Sequence, residues 1–598
     1  MTRSEGQDYK SCPSVQIYRG NFMIKCDAII LDSGIAEDDF KKYANNIVGT
    51  KIIGDYEDVT DLSGHGTAVL NIILSHVPEA KIFIIKILDE NLQCDETYLI
   101  EALKYVFDNV EGKVLNLSLG ITSVNNISEL YNICQKISQK GISIISAFDN
   151  DGAISYPAAF DCVYGVDSSY DLPHKDDFYI MENSSINILA KGCFNRVKWK
   201  NGYIFLSGTS FSTANISGII LNAYRKLSSV NLNKFLQEKA IKKITISKPI
   251  EISKCPDIKC AIILPYNKEV HSIINFSSLL NFDIEGVYDF RLSGNVGRRV
   301  KSLFENGKQF LIRNYNDIPW ESGNFETIIL GHLNQISNIM GYDILKIITE
   351  KARRYSKQIV SFDSLYSIND ENVVNQNCDK LYIINSPVLG IFGTSSKQGK
   401  FTLQLLLRKK FLEKGYKIGQ LGTEPNSELF GMDEVYPMGF NSGVHISGYK
   451  SILYLNQLMN KIDLKSPDLI IVGSQSGTST YWRGNLKQYP VRQIEFLMGT
   501  LPDAVILCVN TFDDIEYIRR TINTIEGLIE TKVIALVVYP FEYICDWHMI
   551  MNKLSSCSPE KIDYYKSSIS KKIGLPCFDM NNERDIESLI VLCETFFS

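Results

Sequence analysis

The feature that most constrains this chain is its alternation of short apolar, β-branched runs with longer helical stretches. CDAIILDSG, AKIFIIKIL, KVLNLSLG and GISIISAF follow one another, with segments such as TYLIEALKYVFDN between them. Apolar runs of that length read as strands buried on both faces. A parallel strand reaches its neighbour only through a helical crossover, so the pattern specifies α/β layers. The rhythm resumes after residue 258 with CAIILPYN, TIILGHLN, QIVSFDSLY and LYIIN, and again after residue 380 with PVLGIFGT, KIGQLG, DLIIVG, DAVILCVN and KVIALVVY. A chain of 598 residues needs several cores. The expected division is residues 1–247, 258–378 and 380–598, with TISKPIEISKCPDIK as a linker.

Composition narrows the function classes. Sixty-two basic residues against 68 acidic ones give a net charge of −6, which supplies no electrostatic footprint for nucleic acid or an anionic membrane. The cluster Arg298, Arg299 and Lys301 reads as a solvated face. No stretch reaches the roughly 18 apolar residues of a membrane span, and the N-terminus lacks a signal-like apolar run. The expected location is therefore cytoplasmic. Fourteen cysteines fall without regular spacing; Cys255 and Cys260 form a lone CxxxxC with no histidine nearby, so reduced thiols are expected rather than a metal site.

Four strings in the first block gain meaning together: LDSG at Asp32, SGHGT at His65, SAFDNDG at Asn150 and SGTSFSTANISG at Ser210. A serine hydroxyl needs an imidazole to take its proton, and the imidazole needs a carboxylate to fix its tautomer. Ser210, His65 and Asp32 supply these types in the chain order Asp, His, Ser. Asp32 ends an apolar strand, where parallel sheets place their sites. Asn150 and the Ser210 N–H are the candidate oxyanion donors. The string NLSLG, with Ser118, Leu119 and Gly120, resembles the strand that pairs with extended substrate in serine peptidases of this chain order.

On these motifs, residues from about 22 to 230 resemble a subtilisin-like serine peptidase. The resemblance implies a parallel-sheet peptidase domain in which Asp32, His65 and Ser210 form the triad, Asn150 serves the oxyanion hole, and cleavage needs no cofactor. Two positions depart from the family pattern: Ala214 stands where proline is usual in GTSxxxP, and Asp149 where glycine usually precedes the oxyanion asparagine. A carboxylate there opposes an oxyanion unless it points away. Asp32 lies too near the start of the sequence for the inhibitory propeptide of secreted relatives, which fits an intracellular enzyme.

In the third block, PVLGIF leads into GTSSKQGKFT and then a helical pattern. Strand, glycine-bearing loop and helix N-terminus place amides around a phosphate, with Gly393, Thr394, Gly399, Lys400 and Thr402 as nucleotide ligands and Thr402 reaching Mg²⁺. The spacing is irregular, because Phe401 separates Lys400 from the threonine. This variant, with GQLGTEPN, DLIIVGSQSG and LPDAVILCVN, resembles dethiobiotin synthetase and relatives in which a Rossmann-like domain precedes a P-loop domain, covering about residues 258 to 598. ATP and Mg²⁺ are implied as ligands there. Gly473 stands where those relatives usually carry an acid, so binding is expected more firmly than hydrolysis, with Glu424 or Asp468 as substitutes. The middle block carries no acid–base set and reads as a scaffold or docking domain.

The expectation is thus an α/β chain of three parts: a subtilisin-like domain, a Rossmann-like domain and a P-loop NTPase-like domain. Its function would be endopeptidase cleavage of a peptide or precursor peptide, including the leader of a ribosomally synthesised modified peptide, with a nucleotide-binding C-terminal module. No nucleic-acid or membrane partner is expected, and a homodimer is among the assemblies allowed for. The alternatives are a non-catalytic maturation scaffold and an ATP-dependent ligase or synthetase.

Overall fold

A computed structural model describes residues 23–150, 152–199, 202–227, 231–247, 255–302, 308–361, 368–370, 373–438, 443–481, 484–544 and 553–598. The chain divides into two compact units, Met1–Lys248 with Val374–Asn385, and Pro249–Val373 with Ser386–Ser598. The expected linker lies partly outside the described residues. Residues 374–385, which straddle the expected boundary between the second and third blocks, belong to the first unit.

The first unit is built on a nine-stranded sheet. Its central neighbours are, in order, Tyr164–Ser169, Ser143–Ala147, Val114–Leu117, Ala28–Asp32, Ile82–Lys86 and Ile47–Ile52, all parallel. Beyond Tyr164–Ser169 come Ile188–Lys191, then Phe178–Glu182 antiparallel to it, and the edge strand Lys242–Thr245. The apolar runs are continuous because helices cover both faces. Ala28 and Ile30 join one core with the helices His65–His76 and Thr209–Lys226, whereas Ile29 and Leu31 join a second core with Glu96–Asn109 and Ile127–Gln139. Successive strand side chains point to opposite faces, so AIIL feeds both cores at once.

The second unit contains two larger sheets. One has six strands, with Cys260–Leu264 between Asp283–Asp289 and Thr327–Leu330. Its edge strand Arg299–Lys301 pairs antiparallel with Gln309–Asn314. The other has seven parallel strands centred on Val388–Gly393, which lies between Leu469–Gly473 and Ala504–Asn510. The two sheets share apolar contacts: Leu429 and Val435 enter the core around Ile263, and Phe276, Phe401 and Phe430 pack ring against ring at 5.7–6.2 Å. Mostly parallel sheets covered by helices confirm the α/β class. Among the described residues, no helix is long and apolar enough to cross a membrane.

Candidate active site and phosphate loop

Three neighbouring strands end side by side in the first unit. Ala28–Asp32 delivers Asp32, Val114–Leu117 runs into Ser118, and Ser143–Ala147 leads to Asn150. Two helices begin at the same edge: His65 opens His65–His76 and Ser210 is the second residue of Thr209–Lys226. Their caps, Gly64 at φ 85° and Gly208 at φ 147°, adopt conformations that side chains disfavour, which allows each chain to turn sharply into its helix. Gly66 has a different reason: a Cβ there would lie 2.5 Å from the Gly34 carbonyl and 3.1 Å from Asp32 Oδ1.

His65 Nδ1 donates to Asp32 Oδ1 at 2.7 Å, and the Ser33 N–H reaches the same oxygen at 2.7 Å. This bond leaves Nε2 as the nitrogen able to accept a proton. Burial alone would depress the imidazole. The Asp32 charge and hydrogen bond, with the field of Asp61, outweigh it and raise His65 above its ordinary 6.5. Ser210 Oγ donates to the Ser118 carbonyl at 3.0 Å, and Ser118 Oγ returns a bond to the Ser210 carbonyl at 3.0 Å. Among the described residues no hydrogen bond reaches His65 Nε2, so attack requires the Ser210 side chain to swing from the Ser118 carbonyl toward that nitrogen. Catalytic contacts of this kind commonly close only when substrate binds.

Asn150 is exposed, and its Oδ1 accepts the Thr209 N–H at 3.0 Å and the Thr209 hydroxyl at 3.2 Å. Fixing the carbonyl end turns the NH₂ end outward as a donor. Ser118 is buried, Leu119 half-buried and Gly120 exposed, in a segment that forms an antiparallel bridge from Ile121 to Tyr156. Ala214 is fully buried in an unbroken helix and keeps the N–H that a proline would lack.

Asp61 was not singled out from the sequence, yet it organises the loop before His65. Its carboxylate accepts the N–H groups of Gly64 at 2.7 Å and Thr67 at 2.8 Å and the hydroxyls of Ser33, Ser63 and Thr67. Burial would raise its pKa; these bonds reverse the effect and lower it. An aspartate shortly before an apolar helical run is an N-terminal signal, and DLSGHGT carries it.

In the second unit the strand Val388–Gly393 runs through a loop holding Thr394 into the helix Lys400–Glu413, capped by Gly399 in the left-handed region. Lys400 is buried and its Nζ donates to the Ser395 carbonyl at 2.6 Å. Burial lowers it to about 8, against the opposing fields of Cys508, Glu424 and Asp513. The Thr394 hydroxyl donates to Asp513 at 2.5 Å. Phe401 explains the irregular spacing: its ring is committed to the apolar cluster with Phe276 and Phe430, and Thr402 follows about 100° further round the helix.

At Gly473 the space beside the strand is filled by the buried Gln404 amide, whose Nε2 a Cβ would meet at 2.1 Å, so an acid fits there only if that side chain moves aside. Of the two suggested substitutes, Asp468 accepts the Lys417 N–H immediately before Leu469–Gly473, at the strand end opposite the loop, so it is excluded as a ligand. Glu424 follows Ile418–Gly422 at the loop's edge and contributes to the field at Lys400. Among the described residues no group of three or more His, Cys, Asp or Glu side chains is arranged around a metal position.

Comparison with known proteins finds a family match over each of the two regions. Residues 27–255 match the Subtilase family, and residues 382–590 match the P-loop domain of the family described as a domain of unknown function, DUF1611. The thermostable alkaline protease of Halalkalibacterium halodurans is 27% identical over 231 residues, covering 37% of this chain and 62% of that protein. The minor extracellular protease Epr of Bacillus subtilis is 31% identical over 152 residues, covering 23% of each. The chain therefore spans less than two thirds of the length of either relative. A crystal structure of a cold adapted subtilisin-like serine proteinase aligns at 22% identity and a TM-score of 0.30, over 37% of this chain and 82% of that one. The chain thus carries a subtilase domain at its N-terminal end and a DUF1611-type P-loop domain toward its C-terminus.

Proposed function

We propose that this chain is a subtilisin-like serine endopeptidase that acts in the cytoplasm on a precursor peptide, cutting the leader of a ribosomally synthesised modified peptide. The observation that carries the peptidase reading is the 2.7 Å bond from His65 to Asp32 at the edge where Ser210 opens a buried helix. An incoming peptide N–H competes with the Ser210 hydroxyl for the Ser118 carbonyl. Its arrival frees the hydroxyl to turn to His65 Nε2. The helix N-terminus and Asn150 then face the negative charge that develops on the attacked carbonyl oxygen.

The cysteines among the described residues are all free thiols, which supports a reducing compartment. A phosphate loop in the same chain supports a compartment that supplies nucleoside triphosphate. Its proposed role is ATP binding, with Gly393, Thr394, Gly399 and Lys400 around the phosphates. Thr402 and Glu424 would offer oxygens to a Mg²⁺ ion carried in with the nucleotide, which would offset the charge of its phosphates.

Mass spectrometry of products after incubation with a precursor peptide encoded beside the gene tests this reading. A single cut between leader and core, absent with Ser210→Ala, is expected. An uncut precursor alongside a cleaved generic peptide would refute the substrate but keep the peptidase.

A further inference from the structure

Asp149 is the family departure that bears most directly on chemistry, because its peptide carbonyl joins it to Asn150. The structure places an unexpected partner on that carbonyl. Lys380, 231 residues downstream, donates from Nζ to the Asp149 carbonyl at 3.2 Å. The same ammonium lies 3.4 Å from Asp167 Oδ2, and Lys380 and Asp167 are only 7% and 8% exposed. A buried ammonium and carboxylate are tolerated together because each offsets the desolvation of the other.

Lys380 is held there by its own segment. The Leu381 carbonyl accepts the Ile154 N–H at 3.0 Å in a parallel bridge, and Tyr382 packs on the apolar cluster around Phe148 and Ile154. Residues 374–385 thus brace residues 148–150 and 152–156 from outside the subtilase match at 27–255.

Resting on the peptidase reading above, we propose that Lys380 is a positioning residue for the oxyanion side of the site, and that residues 374–385 complete the catalytic unit. The turn is fixed at three points: the Asp149 N–H donates to Ser155 Oγ at 2.9 Å, the Asp149 carbonyl is held by Lys380, and Asn150 Oδ1 is held by Thr209. The Lys380 bond fixes the peptide plane that enters Asn150, and with it the origin from which the Asn150 amide points. A side-chain donor acts on the transition state only when its aim is kept within a few tenths of an ångström, so the brace acts on kcat.

The full chain tests this with Lys380→Met, Lys380→Arg and Lys380→Met/Asp167→Asn, the last removing both charges so that no carboxylate is left buried alone. Turnover of a peptide anilide and hydrogen exchange across residues 148–156 are measured together. Both methionine variants are expected to lower kcat roughly 10–100-fold with KM within about twofold, and Lys380→Arg to recover most of it. Exchange should accelerate across 148–156 and remain slow in Ala28–Asp32. On an Asn150→Ala background, Lys380→Met should cost little more, since the group it aims is gone. Unchanged exchange in the double variant, or an equal loss of kcat with and without Asn150, would overturn the positioning role. A wild-type chain with no turnover would overturn the peptidase reading itself, and the exchange comparison would still decide whether Lys380 braces the turn.

Discussion

At the residue scale, His65 carries the clearest quantitative expectations. Its folded pKa lies above 6.5 and only the neutral ring accepts the serine proton, so the acid limb of kcat/KM should fall above pH 6.5; a limb below that value contradicts the Asp32 pairing. The linkage to stability has a definite sign. The charged ring contributes stability below its unfolded value, and this is lost as pH rises through the folded value. Asp61, held low, contributes stability above its unfolded value and loses it on acidification. Asn150→Ala should lower kcat by roughly 10²–10³ with KM nearly unchanged, a magnitude measured for the corresponding kind of donor in subtilisin. A loss mainly in KM would mean that Asn150 binds substrate instead.

At the scale of elements, the loop before His65–His76 and the strand Leu469–Gly473 give opposite lessons. Asp61→Ala orphans the Gly64 and Thr67 N–H groups and should destabilise the first unit by about 1–3 kcal/mol, read in denaturant unfolding. Gly473→Asp displaces the buried Gln404 amide and should cost about 1–3 kcal/mol, read in denaturant unfolding; Gly473→Asp/Gln404→Ala, which clears the space, should recover part of that loss. Strands such as AIIL were legible in the sequence because burial on both faces leaves one reading for a continuous apolar run. That Asp32, His65 and Ser210 meet at one sheet edge was legible because their residue types and order are chemically restrictive. Gln404 behind Gly473 was not, since one side chain filling the space beside another strand leaves no trace in local pattern. Lys380 escaped for the same reason: its role depends on a return of the chain across 231 residues, and nothing in NCDKLYIIN marks it.

At the scale of the whole molecule, the two sites draw on different chemistry and should be separable. Lys400→Ala should weaken ATP binding in calorimetric titration while short-peptide cleavage stays at the wild-type rate, because Lys400 belongs to the second unit and Ser210 to the first. Lys400 sits near 8, so affinity for the anion should also decline as pH rises past that value; a flat profile would remove Lys400 from the phosphate site. The central claim is that Ser210 is a nucleophile activated by His65. Its most direct test is mass-spectrometric mapping of a fluorophosphonate adduct on the full chain. The account predicts one adduct, on Ser210, formed far more slowly in His65→Ala. An unmodified Ser210, or labelling that ignores the loss of His65, would contradict it.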